Sequence, residues 1–143
     1  MSEHNNNVLN GYLKKRHSVS KLVVHLVFTT KYRRKLFTGI MINQLRAAFE
    51  SACVKLECEL IEMDGEQDHV HLLVNYPPKV CVSKLVNSLK GVSSRKLKLH
   101  HPELIKPAYM KNALWSPSYF AGSVGGAPIE VIRQYIEQQN RPH

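Results

Sequence analysis

Asp68-His69-Val70-His71-Leu72-Leu73-Val74 is the stretch on which the reading of this chain turns. It is apolar, rich in branched residues and closed by the breaker pair Pro77-Pro78, which is the pattern of a β-strand. Residues two apart on a strand share a face. His69 and His71 therefore stand side by side, and Val70, Leu72 and Val74 turn the other way into a core. Two neighbouring imidazoles can chelate one divalent ion or hold one phosphate oxygen. The plainer alternative is one surface histidine and one satisfied core histidine.

Working outward, Glu57–Asp64 (ECELIEMD) alternates like a second strand, and Gly65-Glu66-Gln67 makes a tight turn between the two. The pair is a β-hairpin with its histidines on the second arm, near the turn. Upstream, Ser20–Thr30 (SKLVVHLVFTT) reads as a buried strand. Val23, His25 and Val27 share one of its faces and Leu22, Val24, Leu26 and Phe28 the other, with His25 read as a satisfied histidine inside the sheet. Lys31-Tyr32-Arg33-Arg34-Lys35 follows at once, four cations around one aromatic ring. Such a run can hold phosphates and stack a base, or it can be a solvated loop. From Thr38 or Gly39 to about Leu56 the apolar spacing of Ile42, Leu45, Phe49 and Cys53 predicts a helix.

Beyond the hairpin a second helix starts at Val82, with Ser83 a candidate cap and Val82, Leu85, Val86 and Leu89 pointing inward. Lys84, Lys90, Arg95, Lys96 and Lys98 make its remaining surface basic. Gly91-Val92-Ser93-Ser94 is expected to interrupt it, and the hydroxyl of Ser94 is among those that could donate to phosphate. His100-His101-Pro102 ends it. Trp115-Ser116-Pro117-Ser118-Tyr119-Phe120 leads into a short last strand ending near Val124, Trp115 and Tyr119 being read as packing aromatics. After the turn Gly125-Gly126, Pro128 suits the first turn of a helix over 129–139. Tyr135 and Gln139, four apart, emerge together on one side of it. Strand, helix, hairpin, helix, strand, helix is the order of an α+β fold, a largely antiparallel sheet with helices packed on it.

Length and charge bound the function. The 143 residues suit one domain, read as a polar and basic arm over 1–19 followed by a single unit over 20–143. No apolar run approaches the roughly 18 residues of a membrane span, and the Asn-rich start lacks the order of a signal peptide. Cytoplasmic residence, with no membrane partner, is expected. The three cysteines, Cys53, Cys58 and Cys81, form no C-x-x-C pair and read as reduced thiols. Twenty basic against 11 acidic residues leave a net charge of +9, which favours a polyanionic partner such as nucleic acid. Asp64 and Asp68 are the only aspartates. Sites that hold two metals need several spaced carboxylates, so one ion on largely neutral ligands is the better expectation.

Two imidazoles and a carboxamide oxygen are three neutral ligands, and they leave nearly the full divalent charge to act on a phosphodiester. A phenol beside them, of pKa about 10 when free, loses its proton more easily near a cation. Its attack on phosphorus gives a 5′-phosphotyrosine and frees a 3′-hydroxyl, keeping the bond energy for rejoining without a nucleotide cofactor.

At these residues the chain resembles a known family. His69-Val70-His71 is similar to the His-hydrophobic-His (HUH) motif, and SVGGAPIEVIRQYIEQQNRP (123–142) is similar to the C-terminal motif of the single-tyrosine transposases of the insertion-sequence 200/605 group. KYRRK (31–35), DHVH (68–71), LKGVSSR (89–95) and LWSPSYF (114–120) follow that group in order and spacing. The resemblance implies a ferredoxin-like α+β sandwich of the HUH endonuclease type. It implies Tyr135 as nucleophile, His69, His71 and Gln139 as metal ligands, and Mg²⁺ as the ion, with Mn²⁺ able to substitute. It implies hairpin-bearing single-stranded DNA as substrate and a homodimer as the working unit. Lys31, Tyr32, Arg33, Arg34, Lys90, Ser94 and Arg95 are the expected DNA contacts. A domesticated enzyme of the same chemistry that processes repeat hairpins, and a non-catalytic nucleic-acid-binding protein, are the competing readings.

Overall fold

Side-chain alternation builds the sheet. The computed structural model describes residues 22–105 and 113–124; the arm expected over 1–19 and the helix expected over 129–139 lie outside the described residues. Strand β1 (Leu22–Thr29) pairs antiparallel with β3 (His69–Tyr76) from Leu22↔Tyr76 to Thr29↔His69. Strand β2 (Glu59–Gly65) pairs with the other edge of β3, closing the hairpin, with a register shift between Leu60 and Glu62. Strand β4 (Phe120–Ser123) pairs antiparallel with β1. The order across the described sheet is β2-β3-β1-β4.

Helix α1 (Gly39–Lys55) connects β1 to β2, and α2 (Val82–His100) connects β3 towards β4. This β-α-β-β-α-β order with its central β3 and β1 is the ferredoxin-like arrangement, as expected. Both helices belong to one core. Val24, Leu26, Phe28, Val70, Leu72 and Val74 of the sheet pack with Leu45 and Phe49 of α1 and with Leu85 and Leu89 of α2. Each such fully buried side chain contributes about 1.5–3 kcal/mol over its exposed state.

The helix termini follow local chemistry. Thr38 caps α1, its hydroxyl oxygen accepting the Met41 N–H at 3.3 Å. Glu57, at φ 58°, reverses the chain so that β2 begins at Glu59, two residues later than the alternation suggested.

Two expectations are corrected. Ser83 does not cap α2; it lies inside the first turn, and Cys81 precedes the helix without a side-chain cap bond. Gly91–Ser94 does not interrupt α2 either, which runs unbroken from Val82 to His100. The buried Ser93 hydroxyl donates to the Leu89 carbonyl at 2.7 Å, so the serine supports the helix from within instead of competing with it. The helix ends where expected, at His101-Pro102, with the His101 N–H on the Leu97 carbonyl at 2.7 Å. Among the described residues no helix is long and apolar enough to cross a membrane.

Candidate active site

Among the described residues, α1 and α2 cover one face of the sheet. The other face carries His25, Val27 and Thr29 from β1 and His69 and His71 from β3, as period two requires. The rings of His69 and His71 stand 5.1 Å apart, centroid to centroid, at 79° to each other. His71 is buried and the His69 side chain is 16% exposed.

Each ring is held at Nδ1. His69 Nδ1 lies 2.7 Å from Asp68 Oδ1. His71 Nδ1 lies 2.9 Å from His25 Nε2, the two rings being near parallel at 16°. If both candidate ligands donate at Nδ1, Nε2 of each is the lone-pair nitrogen that would meet a metal. This is how ligating histidines are commonly oriented, by a carboxylate or another acceptor on the far nitrogen.

Charge supports that assignment. Burial pushes the Asp68 carboxyl up, but the hydrogen bond with His69 and the Arg33 guanidinium outweigh it and hold Asp68 below the usual carboxylate value. Arg33 Nη2 and Nε both lie 3.3 Å from Asp68 Oδ2. Burial lowers the pKa of His25 and so favours its neutral ring, which can accept from His71 at Nε2 in the tautomer protonated at Nδ1.

The basic run stands at the same end of the sheet. Lys31–Arg33 forms a short 3-10 turn in which Tyr32 and Arg33 take left-handed backbone, at φ 62° and 54°. The Thr30 hydroxyl donates to the Arg34 carbonyl at 2.7 Å, the Arg33 N–H to the Thr30 carbonyl at 2.9 Å, and the Lys31 N–H to the Leu114 carbonyl at 2.9 Å. Tyr32, Arg33 and Arg34 are exposed and Lys31 is half-buried.

The other expected DNA contacts lie on α2. Arg95 is exposed and Ser94 half-buried. Lys90 is engaged by the protein itself: its ammonium donates to the Ser116 carbonyl at 2.7 Å and to the Ser118 carbonyl at 3.2 Å, and it sits 5.3 Å from the centre of the Tyr119 ring. Burial lowers its pKa. Lys90 thus holds the 116–119 strap against the sheet. Trp115 packs in the core as read from the sequence, its indole N–H donating to Ser93 Oγ at 3.0 Å. Tyr119 is exposed instead of packed.

Tyr135 and Gln139 lie outside the described residues. Among the described residues no group of three or more His, Cys, Asp or Glu side chains gathers to hold a metal. The histidine pair would supply two ligands, and the third is expected from a carboxamide, Gln139. Chemically the residues present fit a divalent ion: two oriented imidazoles, with the groups that orient them already in place. The roles of His25 and Asp68 towards the pair were missed in the sequence. The signals were there, since His25 has the parity of the site face and Asp68 adjoins His69.

Residues 18–139 match the family model described as transposase, IS200 like. The chain belongs to the IS200-like transposases. It is 32% identical over 127 residues to the ISDra2 transposase TnpA of Deinococcus radiodurans, covering 89% of this chain and 90% of that one. It is also 32% identical over 115 residues to the transposase of insertion sequence element IS200 of Salmonella typhimurium, covering 80% of this chain and 74% of its relative. In three dimensions it resembles a crystal structure of a transposase from Deinococcus radiodurans R1, with a TM-score of 0.70 at 31% identity over 89% of this chain and 97% of that one. A REP-associated tyrosine transposase bound to a REP hairpin shares the fold at a TM-score of 0.58 and 13% identity, over 83% of this chain and 64% of that one. Membership of the IS200-like transposases makes this a DNA-cleaving enzyme of transposition.

Proposed function

We propose that this transposase cuts and rejoins single-stranded DNA at the hairpin-bearing ends of its element, through a covalent bond to Tyr135 and with one divalent ion. The observation that carries this reading is the histidine pair on the face of the sheet away from the helices, each ring held at Nδ1 by Asp68 or His25. His69 and His71, with Gln139 as third ligand, would hold Mg²⁺, or Mn²⁺ in its place. When bound, the ion polarises the scissile phosphate and offsets the charge that develops on it. Asp68 and His25 keep both imidazoles in the tautomer that presents Nε2. Tyr135 gives up its phenolic proton to solvent and its oxygen attacks phosphorus. The bond from phosphorus to the 3′ oxygen breaks, and that oxygen takes a proton from solvent and leaves as a 3′-hydroxyl. The DNA 5′ end stays on Tyr135 as a phosphodiester, ready for the reverse attack by another 3′-hydroxyl.

The family supports a DNA substrate, and the hairpin bound by the REP-associated tyrosine transposase supports a folded one. Arg33, Arg34, Lys31 and Arg95 would neutralise phosphates, with Tyr32 offering a ring to stack a base; Ser94 adjoins Arg95 on α2, where Lys90 holds the 116–119 strap. Residues 20–143 act as one catalytic unit with 1–19 as a basic arm. Two copies work together as a homodimer, in the cytoplasm where the DNA is.

The test uses labelled single strands that tile both flanks of the gene, with Mg²⁺, run on a denaturing gel. A labelled band at the mass of protein plus DNA, absent in Tyr135→Phe, is the expected result. Cleavage without that band would give water the role of nucleophile. Hairpin binding with neither product would leave a binding protein.

A further inference from the structure

A cavity of about 450 Å³ opens on the site face, lined by Val27, Thr29, Tyr32, Arg33, Tyr119 and Phe120 among others. Its floor adjoins the histidine pair: Val27 is the register partner of His71, and Thr29 that of His69. Directly opposed residues on neighbouring strands are in side-chain contact range. Phe120 stands opposite Val27 on the other side, and its ring meets His25 at 5.5 Å between centroids. A phosphate held at the histidines would therefore have this cavity within the reach of its own nucleotide.

Three aromatic rings around it remain in solvent: Tyr32 at 60%, Phe120 at 49% and Tyr119 at 41% exposed. The same chain buries Phe28, Phe37, Phe49 and Trp115 together on the helix side, so core-forming capacity does not explain the exposure. Both walls are built. Lys90 pins the carbonyls of Ser116 and Ser118 and lies over Tyr119. On the opposite side Tyr32 and Arg33 are kept in left-handed backbone, which is unfavourable for non-glycine residues and is found where a surrounding structure enforces it. The rim carries Arg33, with Lys31 and Arg34 beside it, so the mouth is cationic while the interior offers π-faces. Aromatic faces beneath a cationic rim suit a base on a phosphodiester chain.

We propose that this cavity is a nucleobase pocket that takes, out of the strand, the base next to the scissile phosphate. The inference rests on the histidine pair being the phosphate site.

The test is an abasic scan. Single-stranded substrates carry one abasic site at each position around the cut, and single-turnover adduct formation is measured for the wild type and for Tyr119→Ala/Phe120→Ala. One position flanking the cut should slow the wild type about tenfold or more when its base is removed. The variant should be slowed to a similar extent on the intact strand and be indifferent to the base at that position. No sensitive position in the wild type, or losses that multiply in the variant, would overturn the pocket. Tyr32→Ala provides a second variant should the first fail to fold, judged by circular dichroism.

Failure of the cleavage reading is distinguishable. If the wild type forms no adduct on any strand, 2-aminopurine placed at each position still reads the pocket by its quenching on binding. Quenching at one position that Tyr119→Ala/Phe120→Ala abolishes supports a base pocket without chemistry. Quenching at none, as when a segment of this chain fills the cavity, rejects it.

Discussion

The two faces of the sheet solve different problems with the same strands. On the helix side Phe28, Leu72 and Val74 are sealed under α1 and α2 within one apolar cluster. On the other side the alternate residues of the same strands are His25, His69 and His71, tied by hydrogen bonds between His25 and His71 and between His69 and Asp68. A second apolar cluster there is small, Leu73 with Val23, Ile61 and Val124. One face thus carries most of the apolar packing and the other the proposed chemistry, and substitutions should separate the two. The largest separation is expected for His69→Ala. It should abolish metal-dependent cleavage while moving the free energy of unfolding by only about 1 kcal/mol, because the half-buried side chain lies outside the apolar core and its loss removes one hydrogen bond, to Asp68. Metal titration and urea unfolding of the same preparation check both halves; a large loss of stability would make His69 part of the fold.

The converse substitution is Phe28→Ala. Phe28 is fully buried between Phe49 and Trp115. Removing its ring should cost about 3–5 kcal/mol, seen as a lower urea midpoint at unchanged slope. What folded protein remains should still bind divalent metal with wild-type affinity. Weakened affinity in the folded fraction would show that the two faces are coupled more tightly than alternation implies.

Much of this division was legible in the sequence because it is local. A period of two assigns each residue of β1 and β3 to a face, and the Thr38 cap and the apolar spacing of α1 are written within a few residues. What was illegible was long-range. Gly91–Ser94 looked like a break because serine usually competes with helix backbone; its rescue comes from Leu89 within the helix and from Trp115, 22 positions away. Lys90 looked like one more surface cation, yet its ammonium is claimed by the carbonyls of Ser116 and Ser118. His25 was placed correctly inside the sheet, but its partner His71 lies 46 residues on, and only the register joins them. Tyr135 and Gln139 rest on the motif alone.

That register makes His25→Phe the next test. The substitution fills the space but removes the partner of His71 Nδ1. Orienting groups of this kind are worth about 10–100-fold in metal affinity, and calorimetric titration with Mn²⁺ should show a loss in that range. His25→Gln, which keeps an acceptor, should recover part of it; equal losses in both would mean that ring packing, not the hydrogen bond, positions His71.

Asp68→Asn acts on the other proposed ligand and should fall at the weaker end of that range, since the amide oxygen of the new side chain would still accept from His69 while the charge is lost. It also carries a pH signature. The Asp68 carboxyl is lower in the folded protein than its ordinary value of 3.8. A carboxyl so shifted adds stability that is complete above about pH 3.8 and disappears as pH falls through the folded value. Thermal unfolding scanned from pH 5 to 2 should lose this component in Asp68→Asn, and an unchanged acid limb would assign the stabilisation elsewhere.

The smallest effect is expected where the two faces meet. The 113–119 strap is anchored on the helix side by Leu114 and Trp115 and emerges on the site face as Tyr119, followed by Phe120 of β4. Ser93 is the hinge of that arrangement, accepting from Trp115 and donating to Leu89. Ser93→Ala leaves a buried indole N–H without its acceptor, at a cost of about 1–3 kcal/mol, set partly against the better helix propensity of alanine. A net loss near 1 kcal/mol in urea unfolding is the expected outcome. Because Lys90 holds the same strap independently, base sensitivity in the abasic scan should survive the substitution. If it vanished along with that small loss, the covered face would be setting the shape of the open one through a single hydroxyl.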